Sequence, residues 1–275
     1  MLLNNILPGR HLQCYIRFYR IIDFDFSQEQ KLIPPIKAYR PRIEHCLQFT
    51  PFDCEKVDYA HKKNISYKAA IFGQQTVLSY RRLGNRFLNF QVVFQSGVLH
   101  KLFGVPMEEL MNTYVDADLL FGYSVNDVNE RLAECKNYSE MIEKVEAFLT
   151  DKICKIQLDL HPINKIAGHL LMSNKANLEW FANESNLCYL QFDRAFKANT
   201  GISPKAFQNL VKLDSAYLLK NRNPEKDWMS IALETGFYDY QHLSKMYKNF
   251  IGHSPTDFYK LEQTAPERYF GDFEH

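Results

Sequence analysis

The sequence predicts an α+β fold, in which a β-rich amino-terminal part precedes an all-helical carboxy-terminal part with two helix-turn-helix units. Three observations predict this division. Residues 1–125 carry short apolar or alternating runs separated by turn-rich pieces. From about Met107 the apolar residues recur instead at three- and four-residue spacing. Within the helical part, a pattern of about 50 residues occurs twice.

The β-rich part contains aromatic and β-branched runs that are typical of strands. These runs begin at residues 14, 46, 69, 76 and 87, and they read CYIRFYRIIDF, CLQFT, AAIFG, TVLSY and FLNFQVVF. Many short strands separated by turns at this spacing predict a β-sandwich or a small barrel.

Three helices are predicted behind the strands. Residues 107–120 follow Pro106, which is tolerated where a helix begins, and residues 127–136 form a second helical stretch. Residues 138–156 carry an apolar stripe made of Met141, Ile142, Val145, Phe148, Leu149, Ile153 and Ile156. Such a stripe is either packed core or a dimer seam, and the sequence leaves both open.

Residues 230–259 predict a short helix, a turn and a longer helix. Ser230 is a suitable N-cap for the first helix, and Gly236 can end it in a left-handed conformation. Asp239 offers the next N-cap, and Gly252 can end the second helix. A helix-turn-helix pattern of this kind also fits an ordinary pair of packed helices.

An internal repeat separates these alternatives. At an offset of 50 residues, Ala182 and Glu184 align with Ala232 and Glu234, and Asn186 aligns with Gly236. Asn is the next-best residue after Gly for a left-handed corner. Beyond the corner the offset is 51, which aligns Phe192, Arg194, Phe196, Lys197, Gly201, Ser203, Pro204 and Phe207 with Leu243, Lys245, Tyr247, Lys248, Gly252, Ser254, Pro255 and Phe258. The second copy therefore has one more residue in its turn.

Two such units joined by a continuous helix resemble the DNA-binding domain of the AraC/XylS family of bacterial transcription regulators. The resemblance covers residues 157–262, and its most specific segments are 196–207, 210–219 and 231–259. One departure is Gln208, which stands where the family usually has an apolar residue. The family's amino-terminal domain is often a cupin-like β-barrel that binds a small effector, and residues 94–110 look like a segment of some of these domains.

The resemblance implies a division into a sensor (1–125), a helical coupling or dimerisation segment (126–156), a DNA-binding domain (157–262) and a tail (263–275). The implied function is a sequence-specific transcription regulator that binds double-stranded promoter or operator DNA under the control of a small effector. RNA polymerase and a second copy of the chain are further candidate partners. The alternative for residues 1–125 is a protein-docking or dimerisation module without a small ligand, and a metal-dependent enzyme of cupin type is a third hypothesis.

Donor-rich side chains on the exposed faces of the two second helices are suited to the major groove. Arg194 and Lys245 could pair with guanine, Gln191 and Gln241 with adenine, and Asp193 with cytosine N4. Phosphate contact is the alternative for each of them. The complete set of predicted DNA-binding residues is Leu190, Gln191, Asp193, Arg194, Lys197, Tyr240, Gln241, His242, Ser244, Lys245 and Lys248.

Composition places few other constraints on function. The net charge is +1, and residues 157–262 hold 12 basic and 11 acidic residues, so DNA affinity has to come from local faces. Six scattered Cys without a CxxC pair, no signal peptide and no long apolar run predict a cytoplasmic protein with no membrane span. The spacing of His45, Cys46, Cys54 and His61 matches no metal signature. No nucleotide or catalytic motif occurs, so the expectation is no enzyme, no cofactor and no metal.

Overall fold

A computed structural model describes residues 2–26, 36–59, 62–153, 162–172, 177–263 and 265. The strands are β1 (Leu2–Ile6), β2 (Ile16–Asp25), β3 (Ile36–Tyr39), β4 (His45–Phe49), β5 (Lys56–Tyr59), β6 (Lys62–Ile65), β7 (Ala69–Phe72), β8 (Ser79–Arg82), β9 (Arg86–Phe94) and β10 (Tyr114–Asp116). The helices are α1 (Val98–Phe103), α2 (Asp118–Phe121), α3 (Ser124–Ala133), α4 (Tyr138–Ile153), α5 (Pro162–Met172), α6 (Leu178–Glu184), α7 (Tyr189–Thr200), α8 (Pro204–Arg222), α9 (Trp228–Glu234), α10 (Tyr240–Ile251) and α11 (Pro255–Glu262). No described helix has the length and apolar content needed to cross a membrane.

The amino-terminal domain consists of two antiparallel sheets with helices on one side. One sheet has the strand order β1-β2-β9-β4-β7-β10, and the other has the order β3-β8-β5-β6. The central strand β9 is buried along almost its whole length, since Phe90 and Val92 pack against the helices while Val93 packs toward Val57 of the second sheet. The predicted β-rich sandwich or barrel with a helical extension is confirmed.

A network of hydrogen-bonded polar and charged side chains lies between the two sheets. The Arg20 guanidinium donates to Gln91 over 2.9 Å, and the Gln91 amide donates to Gln48 over 3.3 Å. Gln48 and Arg81 both donate to the Glu55 carboxylate, over 2.8 and 3.1 Å. These hydrogen bonds offset part of the desolvation cost of the buried charges, although the Nε atom of Arg81 has no hydrogen-bond partner among the described residues. The space between the sheets is therefore filled by side chains, and this polar network lies beside an apolar cluster that includes Val57, Phe72 and Val93.

The apolar stripe of α4 lies in the core. Its buried members are Met141, Val145, Leu149 and Ile153, and Ile142 and Phe148 pack against the same cluster. The partners are the outward-facing residues of the large sheet and the neighbouring helices α1 to α3. The described part of the stripe is thus used as packed core within one chain. Ile156, its last predicted member, lies outside the described residues.

The helix predicted for residues 107–120 is wrong. The chain instead makes a series of turns after Met107, reaches a left-handed residue at Asn112 and continues as strand β10, which pairs with β7. Tyr114 lies opposite Phe72, and their rings are 4.3 Å apart. The apolar spacing of this segment is compatible with a helix and also with turns followed by a strand. The pairing with the distant strand β7 determines that the strand forms.

The carboxy-terminal domain has two hydrophobic cores that share α8. The first half of α8 contributes Phe207, Leu210 and Val211 to one core, and the second half contributes Leu213, Ala216 and Tyr217 to the other. Each core also contains one residue of the amino-terminal domain, namely Ile43 in the first and Ala38 in the second. The continuous helix predicted to join the two units is confirmed, and the all-α domain with two helix-turn-helix units is confirmed with it.

The two domains meet at a junction formed by β3, the chain around residue 42 and α8. The Arg40 guanidinium lies 2.7 Å from the Asp214 carboxylate and stacks over the Tyr217 ring, with its carbon 3.8 Å from the ring centre. Tyr217 in turn donates to Glu262 of α11 over 2.6 Å. Gln208, the departure from the family pattern, is buried in α8.

A second part of the junction holds the carboxyl end of α7. His45 Nε2 donates to the Thr200 carbonyl oxygen over 3.1 Å, and the Met107 amide donates to the Ala198 carbonyl oxygen over 2.9 Å. Burial lowers the pKa of His45 to about 4, against the opposing effect of the Thr200 carbonyl. A neutral imidazole therefore joins the amino-terminal domain to the first helix-turn-helix unit.

Candidate nucleic-acid interface

The two helix-turn-helix units have corresponding corners. The first unit turns between α6 and α7 at Asn186 (φ 54°), and the second turns between α9 and α10 at Gly236 (φ 83°). Both residues adopt the left-handed conformation that Asn and Gly tolerate best. The predicted left-handed corners are confirmed. In the second unit, Lys212 of α8 donates to the Gly236 carbonyl oxygen over 3.0 Å, a contact that the sequence alone did not reveal.

The helices α7 and α10 each contain 12 residues and have matched ends. Each is followed by a left-handed glycine, Gly201 with φ 85° and Gly252 with φ 81°. Equivalent apolar residues face the two cores, since Phe192 in α7 corresponds to Leu243 in α10. A further helix begins soon after Gly252, where the Ser254 side chain caps α11.

The start of α9 differs from the prediction. Its N-cap is Asp227 rather than Ser230, and the Ser230 amide donates to the Asp227 carboxylate over 2.9 Å. The Ser230 hydroxyl donates to the same carboxylate over 2.7 Å, and these bonds lower the pKa of Asp227. A carboxylate accepts both hydrogen bonds at the positive helix end, so the helix begins three residues earlier.

The predicted DNA-binding residues lie on the outward faces of α7 and α10, and none of them is buried. The exposed ones are Leu190, Gln191, Arg194, Gln241, His242, Lys245 and Lys248, and the half-buried ones are Asp193, Lys197, Tyr240 and Ser244. The structure thus brings each predicted set together on one helix face. The two faces are joined through α8, which packs against both units.

Several of these side chains already have partners within the domain. Asp193 and Lys197 form an ion pair of 2.6 Å one helical turn apart, and the hydrogen bond that Lys197 donates to the Asp193 carboxylate raises the pKa of Lys197. The Gln191 side-chain oxygen accepts from the Cys188 amide over 3.2 Å at the helix start. The His242 ring packs edge-on against Phe237, with ring centres 5.3 Å apart. Fewer of these side chains are therefore free to contact a ligand than the sequence pattern indicates.

The candidate metal residues do not form a joint site in the described part of the chain. His45 is bonded to the junction, Cys46 is buried in the sheet, and Cys54 is half-buried near Thr50. His61 lies outside the described residues. Burial raises the pKa of the Cys46 thiol, so this thiol is held neutral.

Two matched helix-turn-helix units on a shared helix define a tandem helix-turn-helix domain. Residues 181–260 match the family model described as "Helix-turn-helix domain", and the carboxy-terminal domain of this chain is a helix-turn-helix domain of the AraC type. A domain of this type is what the repeat predicts.

Known regulators are similar to part of the chain. The HTH-type transcriptional regulator MtrA of Neisseria gonorrhoeae is 31% identical over 103 residues, which are 35% of this chain and 34% of MtrA. An uncharacterized HTH-type transcriptional regulator of Haemophilus influenzae is 31% identical over 87 residues, which are 32% of this chain and 29% of that protein. The matched segments span about a third of each relative's length.

Solved structures of ToxT from Vibrio cholerae resemble the chain more loosely. The structure from strain O395 has a TM-score of 0.47 and 12% identity, and the match covers 92% of this chain and 100% of ToxT. Wild-type ToxT with an unsaturated fatty acid bound has a TM-score of 0.48 and 13% identity, with 94% and 97% covered.

Proposed function

We propose that this protein is a sequence-specific DNA-binding transcription regulator. The observation that carries the proposal is the pair of equivalent helices α7 and α10, which present exposed polar faces from a single shared helix. A helix of this kind enters the major groove, where base edges offer hydrogen-bond donors and acceptors in a pattern that distinguishes the four base pairs. The helix-turn-helix match and the regulators it relates to support the proposal. It assigns no catalytic step.

The proposed DNA contacts are the exposed residues of α7 and α10 that the sequence identified. Arg194 and Lys245 contact guanine edges, Gln241 contacts adenine, and Lys248 contacts phosphate. Because the domain as a whole is nearly neutral, affinity depends on these local basic groups together with the amino ends of helices facing phosphates.

The distance between the two helix-turn-helix units determines how the half-sites are arranged in the target DNA. We call α7 and α10 the reading helices, and the two helix-turn-helix units that contain them the reading units. Two such helices on one side of a duplex enter successive major grooves about 34 Å apart. The linker α8 has 19 residues and is therefore about 28 Å long. One chain then reads two different half-sites separated by about one helical turn, and the DNA bends where the two spacings differ.

We propose that the amino-terminal domain controls the reading units through the junction. Arg40 and His45 connect it to α8 and to the end of α7, so a change in this domain alters the position of both units. A gap of about 20 Å³ lies between the two sheets, next to the junction, and is lined by Tyr39, Arg40, Arg42, Glu44, Cys46, Phe72, Gln75, Arg81 and Gln91. This volume holds about one water molecule, so a small effector enters only if side chains move.

The filled space between the sheets also favours the alternative, a docking or dimerisation module without a small ligand. The two functions predict different results for purified protein. A sensor gains thermal stability from a small molecule in a metabolite panel and changes its DNA affinity in parallel. A docking module responds to no small molecule and instead retains a protein partner, for which RNA polymerase and a second copy of the chain are the candidates. We place the protein in the cytoplasm, where promoter DNA is accessible.

The test of the main proposal is selection of bound duplexes from a random pool by the full-length chain at near-physiological salt. The expected result is an asymmetric site with two determinants about one helical turn apart. Failure to enrich any sequence, with or without a metabolite extract present, would contradict the proposal. Enrichment of a repeated or inverted site would add dimerisation to it.

A further inference from the structure

The two reading helices differ in which side chains are available, although the repeat makes their positions equivalent. Both helices begin one residue after an N-cap and contain 12 residues, so position 190 corresponds to 241 and position 194 corresponds to 245. Each reading face can therefore be compared residue by residue. This comparison rests on the proposed DNA-binding function.

In α7, three of the predicted contact residues are engaged by the helix itself. Asp193 and Lys197 neutralise each other through their 2.6 Å ion pair, and Gln191 caps the helix start through its side-chain oxygen. In α10 the cap is instead supplied by Asp239, whose carboxylate accepts from the His242 amide over 2.7 Å. Ser244, which corresponds to Asp193, carries no charge to pair with Lys248. Fewer polar side chains of α10 than of α7 are thus bonded within their own helix.

Leu190 and Arg194 remain available on the first helix. Leu190 is 68% exposed in the first turn, and nothing in the described part of the chain hydrogen-bonds to the Arg194 guanidinium. The two residues are four positions apart, so they lie side by side about 6 Å apart along the helix axis. A distance of this size spans roughly two base-pair steps of B-DNA.

We infer that the first unit reads a thymine through Leu190 and a nearby guanine through Arg194. A leucine offers no hydrogen bond, and the thymine C5-methyl is the apolar group that the major groove presents. Arg194 can donate two hydrogen bonds to guanine O6 and N7. The equivalent pair in the second unit is Gln241 and Lys245, which reads adenine and guanine. Leu190 is accordingly the residue that makes the two half-sites different.

The test uses the full-length chain and the duplex that it selects. Each thymine is replaced in turn by deoxyuridine, which lacks only the methyl group, and each guanine by 7-deazaguanine, which lacks the N7 acceptor. At one thymine of one half-site, we expect loss of the methyl to weaken binding about four-fold, the effect of one buried methyl group. At a guanine within about two base pairs of it, loss of N7 weakens binding roughly ten-fold.

The variant Leu190→Gln assigns the thymine effect to its residue. We expect this variant to lose the sensitivity to deoxyuridine and to select adenine at that position, because its side chain now matches Gln241. The reciprocal variant Gln241→Leu gains a methyl-sensitive thymine in the other half-site. Leu119→Gln is the matched control, because Leu119 is a 75% exposed leucine of the amino-terminal domain, and the base preference of this variant stays unchanged. Since Leu190 is largely exposed, thermal unfolding of Leu190→Gln should match that of the parent.

Three results would overturn the inference. These are an unchanged base preference in Leu190→Gln, equal weakening of parent and variant by deoxyuridine, and a Leu119→Gln variant whose base preference changes in the same way as that of Leu190→Gln. In each case the chain still selects a two-part site, so the proposed function stands while the assignment of Leu190 fails. If no duplex is selected at all, the proposed function fails first and the inference fails with it.

Discussion

Replacing Asp214 by Asn should destabilise the carboxy-terminal domain because it removes the charge that faces a buried arginine. The Arg40 side chain is 5% exposed, and the side chain of its partner Asp214 is 32% exposed. Removing one partner of a fully buried pair costs about 3–5 kcal/mol. Since water reaches Asp214, we expect a smaller loss of about 2–3 kcal/mol in the free energy of unfolding.

The chain provides both a specific signal and a matched control for this measurement. Its two tryptophans, Trp180 and Trp228, lie in the carboxy-terminal domain, so tryptophan fluorescence during urea unfolding follows that domain. Asp193→Asn removes the same charge from an ion pair whose cation, Lys197, is 38% exposed rather than buried, and should cost less than about 0.5 kcal/mol. Both variants keep the size of the side chain and one carbonyl acceptor.

A double-mutant cycle separates the pair from other effects of the substitution. Arg40→Gln and Asp214→Asn should be coupled by at least about 1 kcal/mol, because each is the charged partner of the other at the junction. The reasoning is refuted if Asp214→Asn costs no more than Asp193→Asn, or if the coupling energy is near zero. Either result would mean that the junction is held by packing rather than by this charge pair.

Three further outcomes are expected. Because burial lowers the pKa of His45 from about 6.5 in the unfolded chain to about 4 in the folded one, the unfolded state binds the proton first as the pH falls. Up to about 3 kcal/mol of stability is then lost between pH 6.5 and pH 4, and urea titrations across this window should show a flatter dependence for His45→Gln. Gly252→Ala should cost about 1 kcal/mol in thermal unfolding, because it forces alanine into a left-handed conformation with open space around it. Gly201→Ala should cost at least about 1 kcal/mol more, since its added Cβ would lie 2.9 Å from the Met107 carbonyl oxygen; equal losses at the two glycines would contradict the contact. Lys248→Ala should weaken binding equally on all duplexes and lower the salt dependence by about one unit, as measured by fluorescence anisotropy at several salt concentrations.

The helix-turn-helix units could be predicted from the sequence because local signals determine them. Asn186 and Gly236 adopt the left-handed corners that their chemistry favours, and Gly252 ends α10 as expected. The faces of α7 and α10 follow from helical spacing alone. Within the candidate site, however, the ion pair of Asp193 with Lys197 could not be distinguished from two independent DNA contacts, because the same spacing permits both.

The parts that the sequence missed depend on contacts between distant residues. Strand β10 forms because Tyr114 pairs with Phe72, and no local pattern of residues 107–120 records that pairing. The charges between the sheets were missed for the same reason. Arg81 lies in a short strand and reads as a solvent-facing residue until Glu55 is placed beside it.

The contribution of Ala38 and Ile43 to the cores of the carboxy-terminal domain limits how this protein can be recombined with its relatives. A chimera that fuses residues 162–263 to a foreign amino-terminal domain would leave a gap in each core unless the new partner supplies equivalent side chains. Designers of such hybrids should therefore transplant the short stretch 36–45 together with the helices, although it precedes them by more than a hundred residues. The residues that form the cores of the carboxy-terminal domain are therefore not contiguous in the sequence.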